Sequence, residues 1–168
     1  MYLNSEGEVI KGLSLESYLA SGTPGTVAGL IQLHKDEASM PLEKLIAPAI
    51  VLANKGFQLS EFQAQYLNKY AKKFKKNKEA EKIFVKKGGW KEGDILIQKD
   101  LSKSLSLIAQ DGSKAFYDGD ITKKILDDFK ENEGILIEED FLNYEIRKLE
   151  PLCGCLLYTS PSPRDLSE

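Results

Sequence analysis

A Gly-Thr-Pro-Gly turn near the start of the chain most constrains the fold that this sequence can adopt. Gly22 and Gly25 flank Thr23 and Pro24. Pro24 fixes its own φ angle and favours an extended conformation at Thr23, and Gly25 can adopt backbone angles that other residues avoid. The chain is therefore predicted to turn sharply here and to enter a helix near Thr26, around which the later helices pack.

Most of the remaining chain shows the spacing of amphipathic helices. Pro41 suits the first turn of a helix over 41–55, although Pro48 inside it removes one hydrogen bond or kinks the helix. Ser60 and Gln63 form the capping-box pattern at the start of the next helix. Short extended segments are predicted at 95–98 and 135–137. Helices are predicted over 101–111 and 121–133, with a short acidic helix over 138–144. Asp100 is predicted to cap the first of these helices.

Size and composition exclude several classes of protein. With 168 residues and 42% hydrophobic residues, the chain can form a packed core, as one domain or as a piece of a larger one. The net charge of −3 gives no overall preference for nucleic acid or membrane. No apolar run approaches the roughly 20 residues of a membrane span, and residues 1–20 lack the pattern of a signal peptide.

Two segments have opposite charge. Residues 69–92 contain ten lysines against three acids, and residues 118–145 contain ten acids against three lysines. The basic segment could bind phosphates, but it lacks arginine, so a solvated lysine face is the favoured interpretation. The two segments could face each other or both lie in solvent. An apolar stripe that begins before the lysines and continues among them is predicted to be core rather than a platform for bases: Phe62, Tyr66, Leu67, Tyr70 and Phe74.

The residues themselves reveal no catalytic constellation. His34 is the only histidine, and no nucleophile can be paired with it, so it is read as a residue at a helix end. Cys153 and Cys155 lack the further ligands that a zinc site needs. The adjacent carboxylates at Asp127–Asp128 and Glu138–Asp140 lack the alternating oxygen spacing of a calcium loop. We therefore predict no catalytic, substrate-binding, cofactor-binding or metal-binding residue in this chain, and no cofactor.

Several sequence blocks, in order, resemble the large-subunit region of gamma-glutamyltransferases, also called glutathione hydrolases. The first two blocks are the most specific, and together the blocks cover about residues 1–154. They comprise residues 20–29, 40–50 with 52–53 and 56–57, 93–98 with 101–105 and 108–109, then Gly112, Phe116, Tyr117 and Gly119, and finally 134–137 with Glu139, Asp140 and Tyr144.

The resemblance implies both a fold and an activity. The family belongs to the N-terminal-nucleophile hydrolases, with αββα layers, so this α/β segment is expected to be mostly helical with short strands. Family precursors cleave themselves ahead of a threonine, which becomes the nucleophile of a small subunit and accepts the gamma-glutamyl group of donors such as glutathione. An arginine of the large subunit holds the donor's alpha-carboxylate. A periplasmic or extracellular location is expected by family.

The resemblance also indicates what is missing. Both the arginine and the nucleophilic threonine fall outside this sequence, and Thr23 and Thr26 belong to a structural block. Residues 1–154 are therefore expected to be an inactive fragment of the large subunit. Residues 155–168 are expected to be an unrelated, disordered or artefactual tail. The alternatives are a stand-alone helical binding module that uses the lysine-rich 69–92 segment, and a non-catalytic structural domain.

Overall fold

The computed structural model describes residues 2–150, and helices dominate that part of the chain. A 3-10 helix over Tyr18–Ala20 lies between the first two α-helices. The α-helices are α1 Leu13–Glu16, α2 Thr26–Glu37, α3 Leu42–Lys55, α4 Glu61–Phe74, α5 Lys78–Phe84, α6 Lys99–Asp111, α7 Ser113–Tyr117, α8 Asp120–Glu131 and α9 Glu138–Leu142.

The β structure in residues 2–150 is slight. Strands β1 (Phe57–Gln58) and β2 (Ile95–Leu96) pair antiparallel, with Phe57 opposite Leu96. A single bridge joins Leu3 to Val9. The fold class is thus helix-rich with short strands, as the sequence predicts.

Two small apolar clusters hold the helices together. The first centres on Ile31, Ile108 and Ala115, which join α2, α6 and α7, while α3 packs along α6. The second centres on Leu59, Ala64 and Leu96, where α4 covers the two strands. Both clusters depend on residues far apart in sequence, so the helices are ordered by packing more than by local propensity.

Many local predictions are confirmed. Helix α2 begins at Thr26, α3 contains Pro48 and ends at Lys55, and Ser60 and Gln63 form both halves of the capping box. The kink or lost hydrogen bond at Pro48 stays a prediction. The predicted cap at Asp100 is wrong: the N-cap position is Gln98, and Asp100 lies in the first turn, paired with Lys103. The helix starts two residues earlier than the apolar spacing indicates because Lys99 and Asp100 extend it on the solvent side.

The predicted core stripe of α4 is wrong at its N-terminal end. Phe62 is 73% exposed and Tyr66 is 50% exposed, whereas Leu67, Tyr70 and Phe74 are partly buried. The buried face of α4 centres on Ala64, which the predicted stripe omits, and Leu67 from that stripe packs against the same cluster. Apolar residues on α2 and α3 are exposed as well, such as Leu30 and Leu45.

The predictions for the end of the chain concern residues that the structure does not describe. Cys153, Cys155 and the tail 155–168 lie outside the described residues, and their interpretation stays a prediction. Within residues 2–150, no helix combines the length and the hydropathy that crossing a bilayer requires.

Candidate functional site

The start of α2 is held by a tyrosine from the other side of the fold. The Tyr117 hydroxyl, at the end of α7, donates to the carbonyl of Pro24 at 2.5 Å. It also accepts from the N–H of Ala28 at 3.1 Å. The Ala28 N–H is in the first turn of α2, where N–H groups have no partner within the helix. Tyr117 therefore caps α2 from a distance and fixes the turn that precedes it.

A second tyrosine covers the turn at Gly25. A Cβ atom on Gly25 would lie 1.9 Å from the hydroxyl oxygen of Tyr144. The φ and ψ angles of Gly25 are −97° and −12°, ordinary right-handed values. The prediction that Gly25 provides unusual backbone angles is therefore wrong, and glycine is needed because the Tyr144 ring approaches so closely.

The two tyrosines form the wall of an open cleft of about 490 Å³. Phe141, which is fully buried, packs against Tyr117, with ring centroids 6.4 Å apart. The polar groups at the cleft are Gln32, Ser113, Lys114, Asp118 and Glu145. Burial raises the pKa of the Tyr117 phenol above its ordinary value of 10.0, and the Ala28 N–H offsets part of that rise. Tyr117 is thus neutral at physiological pH and acts as a hydrogen-bonding group.

Within residues 2–150, the hydroxyl groups at this cleft are not arranged as an activated nucleophile. Activating a hydroxyl nucleophile requires a base within hydrogen-bonding distance, and the cleft pairs no Ser113 hydroxyl with such a base among the hydrogen bonds of residues 2–150. Thr26, the first residue of α2, is exposed to solvent. The prediction that the chain contains no catalytic residue stays a prediction.

His34 lies in the last turn of α2, at the helix end where the sequence predicts it. Its Nε2 is 2.8 Å from the carbonyl oxygen of Met40, so this nitrogen is the N–H donor of the ring. The contact ties the end of α2 to the chain before α3. His34 therefore stabilises a helix connection here.

A second cleft, of about 590 Å³, lies between α2, α3 and α6 and is lined almost wholly by apolar side chains. Leu30 and Leu33, on its rim, are 59% and 58% exposed. An open apolar groove of this size is typical of a surface that packs against further protein. It offers no polar group with which to orient a substrate other than His34 and Glu37.

No ion pair joins the two oppositely charged segments within residues 2–150. The ion pairs of the lysine-rich segment in residues 2–150 are Lys76 with Glu16, Lys82 with Glu79, and Lys86 with Asp94. None of these carboxylates belongs to residues 118–145. Within the described part of the chain, no three His, Cys, Asp or Glu side chains are grouped so that they could hold a metal ion.

Solved structures define the class of protein. The fold is similar to that of gamma-glutamyltranspeptidase from Helicobacter pylori, with a TM-score of 0.82 and 41% identity over 86% of this chain and 42% of that one. It is also similar to the gamma-glutamyltranspeptidase from Pseudomonas nitroreducens, with a TM-score of 0.77 and 34% identity over the same shares. The described residues thus have the fold of a helix-rich segment of the gamma-glutamyltranspeptidases, a class of N-terminal-nucleophile hydrolases.

A family model described as Gamma-glutamyltranspeptidase matches residues 1–163, and the chain belongs to this family. The glutathione hydrolase proenzyme of Escherichia coli (strain K12) is 38% identical over 97% of this chain. That alignment covers 29% of the relative, and the corresponding share for the relative from Pseudomonas sp. (strain A14) is 27%. The chain therefore spans little more than a quarter of the length of the curated relatives it matches.

Sequence reasoning finds the family and its helices but misses the residues that organise the cleft. From sequence, Tyr117 and Tyr144 are only members of the resembling blocks, without a role. The local sequence contains no signal for their contact with the turn, because the partners lie in distant elements. A stand-alone binding module is not favoured, since the match extends over most of the chain.

Proposed function

We propose that this chain is part of an enzyme that transfers or hydrolyses gamma-glutamyl groups from glutathione and related donors. The observation that carries the proposal is the family match over residues 1–163, together with relatives that are glutathione hydrolase proenzymes. In this proposal, residues 2–150 supply scaffold helices. The threonine nucleophile and the arginine that holds the donor's alpha-carboxylate belong to other parts of the proenzyme.

The partners follow from the same assignment. The donor is a small gamma-glutamyl compound, and the small subunit of the same precursor covers part of this scaffold. The open apolar groove between α2 and α3 supports the idea that further protein packs here. We also propose a periplasmic or extracellular location, which fractionation of cells that express the parent protein would test; recovery from the cytoplasm would contradict it.

A chimera tests the proposed function. Residues 1–150 would replace the matching segment of the Escherichia coli proenzyme, and release of p-nitroaniline from gamma-glutamyl-p-nitroanilide would be followed. We expect the chimera to cleave itself into two subunits and to turn over the donor, whereas the isolated 168-residue chain shows no turnover. The matched control is the same chimera with its nucleophilic threonine replaced by alanine.

Two outcomes would contradict the proposal. A chimera that folds and cleaves itself yet does not turn over the donor would mean that this scaffold does not support gamma-glutamyl chemistry. Turnover by the isolated chain above background would mean that the nucleophile lies within the 168 residues after all.

A further inference from the structure

A row of aromatic and lysine side chains on α4 lies largely exposed, away from the most buried residue of the helix, Ala64. Phe62, Tyr66, Lys69, Tyr70 and Lys73 recur at spacings of three and four, so they lie along one face of the helix. We call this face the lysine–aromatic stripe. Phe62 and Tyr66 are 73% and 50% exposed, and the two lysines are exposed. The core of α4 lies on a different face, at Ala64 and Leu67.

The side chains of the stripe are held in contact with one another. The rings of Phe62 and Tyr66 have centroids 6.2 Å apart, and those of Tyr66 and Tyr70 are 4.6 Å apart. The ammonium nitrogens of Lys69 and Lys73 lie 5.6 Å and 5.9 Å from the centroid of the Tyr70 ring. These cation–π contacts place two positive charges beside an apolar ridge.

Both the apolar surface and the positive charge of the stripe continue into its surroundings. An apolar cleft of about 260 Å³ lies beside the ridge and is lined by Phe57, Leu59, Phe62, Gln63, Tyr66, Leu67 and Leu96. Seven of the ten lysines in residues 69–92 have no carboxylate within ion-pair distance among the residues that the structure describes. The positive charge therefore continues past the end of α4.

We propose that the lysine–aromatic stripe docks on the surface of an anionic lipid bilayer. Lysine ammonium groups would contact the acidic headgroups, while Phe62 and Tyr66 enter the interface and the apolar cleft receives the start of an acyl chain. Lysine stems can lie along apolar surface while their ammonium groups stay in water, so an aromatic ridge flanked by lysines suits the boundary between headgroups and acyl chains. The proposal concerns a surface of the enzyme and is independent of the proposed reaction.

Two features favour lipid over a single-stranded nucleic acid. Bases stack on aromatic rings whose faces are free, whereas Tyr66 and Tyr70 are already in contact with each other. The stripe also lacks arginine, which nucleic-acid sites use for bidentate contacts to phosphate. Lysine, as a flexible point charge, suits the diffuse negative potential of a lipid surface.

Co-sedimentation of the 168-residue chain with vesicles tests the proposal. Vesicles of phosphatidylglycerol mixed with phosphatidylcholine would be compared with vesicles of phosphatidylcholine alone. We expect binding to the anionic vesicles at 0.1 M salt, about tenfold or more tighter than to the neutral ones. Binding should weaken at 1 M salt, because the screening length falls from about 10 Å to about 3 Å.

Two pairs of variants assign the binding to the stripe. The double variant K69E/K73E should weaken binding by about thirtyfold or more, whereas K123E/K124E, with the same change of charge on α8, should bind as the wild type does. The double variant F62S/Y66S should also weaken binding, whereas L30S/L33S, on the exposed face of α2, should not. Circular dichroism would establish that each variant is folded, and a variant that fails this check would be replaced by the corresponding single substitutions.

Three results would overturn the proposal. The first is the absence of binding to anionic vesicles at 0.1 M salt. The second is binding that F62S/Y66S leaves unchanged, since lysines alone would then account for it. The third is an oligonucleotide that binds as tightly and competes with the vesicles, which would make the stripe a site for polyanions in general.

Discussion

The phenol rings of Tyr117 and Tyr144 are stacked, with centroids 5.5 Å apart and planes within 9° of parallel. One ring bonds to Pro24 through its hydroxyl, and the other lies against Gly25. Two tyrosines that lie far along the sequence from the turn before α2 thus hold it in place. The native geometry of the turn before α2 therefore depends on contacts from α7 and from the chain after α9.

Replacing Tyr117 with phenylalanine tests the two hydrogen bonds of its hydroxyl group. The ring and its stacking would remain, but the Pro24 carbonyl and the Ala28 N–H would lose their partner in a buried place. We expect the free energy of unfolding in urea to fall by about 1–3 kcal/mol. The control is Tyr66→Phe, whose hydroxyl makes no hydrogen bond within residues 2–150 and whose ring is 50% exposed. Equal effects of the two substitutions would contradict the bridging role.

The same tyrosine predicts a loss of stability at alkaline pH. Because burial raises the pKa of Tyr117 above 10.0, the unfolded chain loses this proton at a lower pH than the folded one. Stability should therefore be full below pH 10 and should fall as the pH rises from there toward the folded pKa. Urea unfolding of wild type and Tyr117→Phe across this range would measure it, and the variant should show the smaller fall. A steeper fall in the variant would contradict the assignment.

The close approach of Tyr144 to Gly25 gives a prediction with an internal control. Gly25→Ala would force the Tyr144 ring off its stack on Tyr117, and we expect a loss of about 1–3 kcal/mol in the free energy of unfolding. Gly29 lies in the next turn of α2, where an added methyl group would meet no atom within 4 Å. Gly29→Ala should therefore stabilise the chain by about 0.5–1 kcal/mol, because alanine favours the helix. A stable Gly25→Ala variant would disprove the steric account.

The sequence predicts those features of the fold that depend on residues close together in the chain. Apolar spacing identifies α3, and the capping pattern places the start of α4 at Ser60, because both signals lie within the element they describe. Spacing alone does not say which face of a helix is covered, so the prediction that Phe62 and Tyr66 belong to the core is wrong. The hydrogen bond from Tyr117 to Pro24 joins residues that are distant in sequence, so no local sequence pattern predicts it.

The capping box itself can be tested on α4. The Ser60 hydroxyl accepts from the N–H of Gln63, whose side chain accepts in return from the N–H of Ser60. Ser60→Ala removes one half of this exchange, and we expect the free energy of unfolding to fall by about 1 kcal/mol. Ser104→Ala, inside α6, is the control and should be neutral or slightly stabilising because alanine favours a helix interior. Equal losses at the two sites would show that the cap contributes nothing specific.

A carboxylate in the loop before β2 makes stability sensitive to acid. Asp94 accepts from the Lys86 ammonium at 2.6 Å and from the Lys91 N–H at 2.7 Å, and these contacts hold its pKa below the ordinary value of 3.8. A lowered pKa means that the stabilisation is complete above pH 3.8 and is lost as the pH falls through the folded value. Urea unfolding from pH 7 down to pH 3 should show this loss in the wild type.

The variant Asp94→Asn should be less stable at pH 7 and should lose less stability on acidification. The control is Asp100→Asn, since Asp100 also has a lowered pKa, through Lys103, but lies 86% exposed. Solvent weakens that pair, so the control should change the acid profile little. If Asp100→Asn flattened the profile as much as Asp94→Asn, the loop contacts of Asp94 would not be the source of the acid sensitivity.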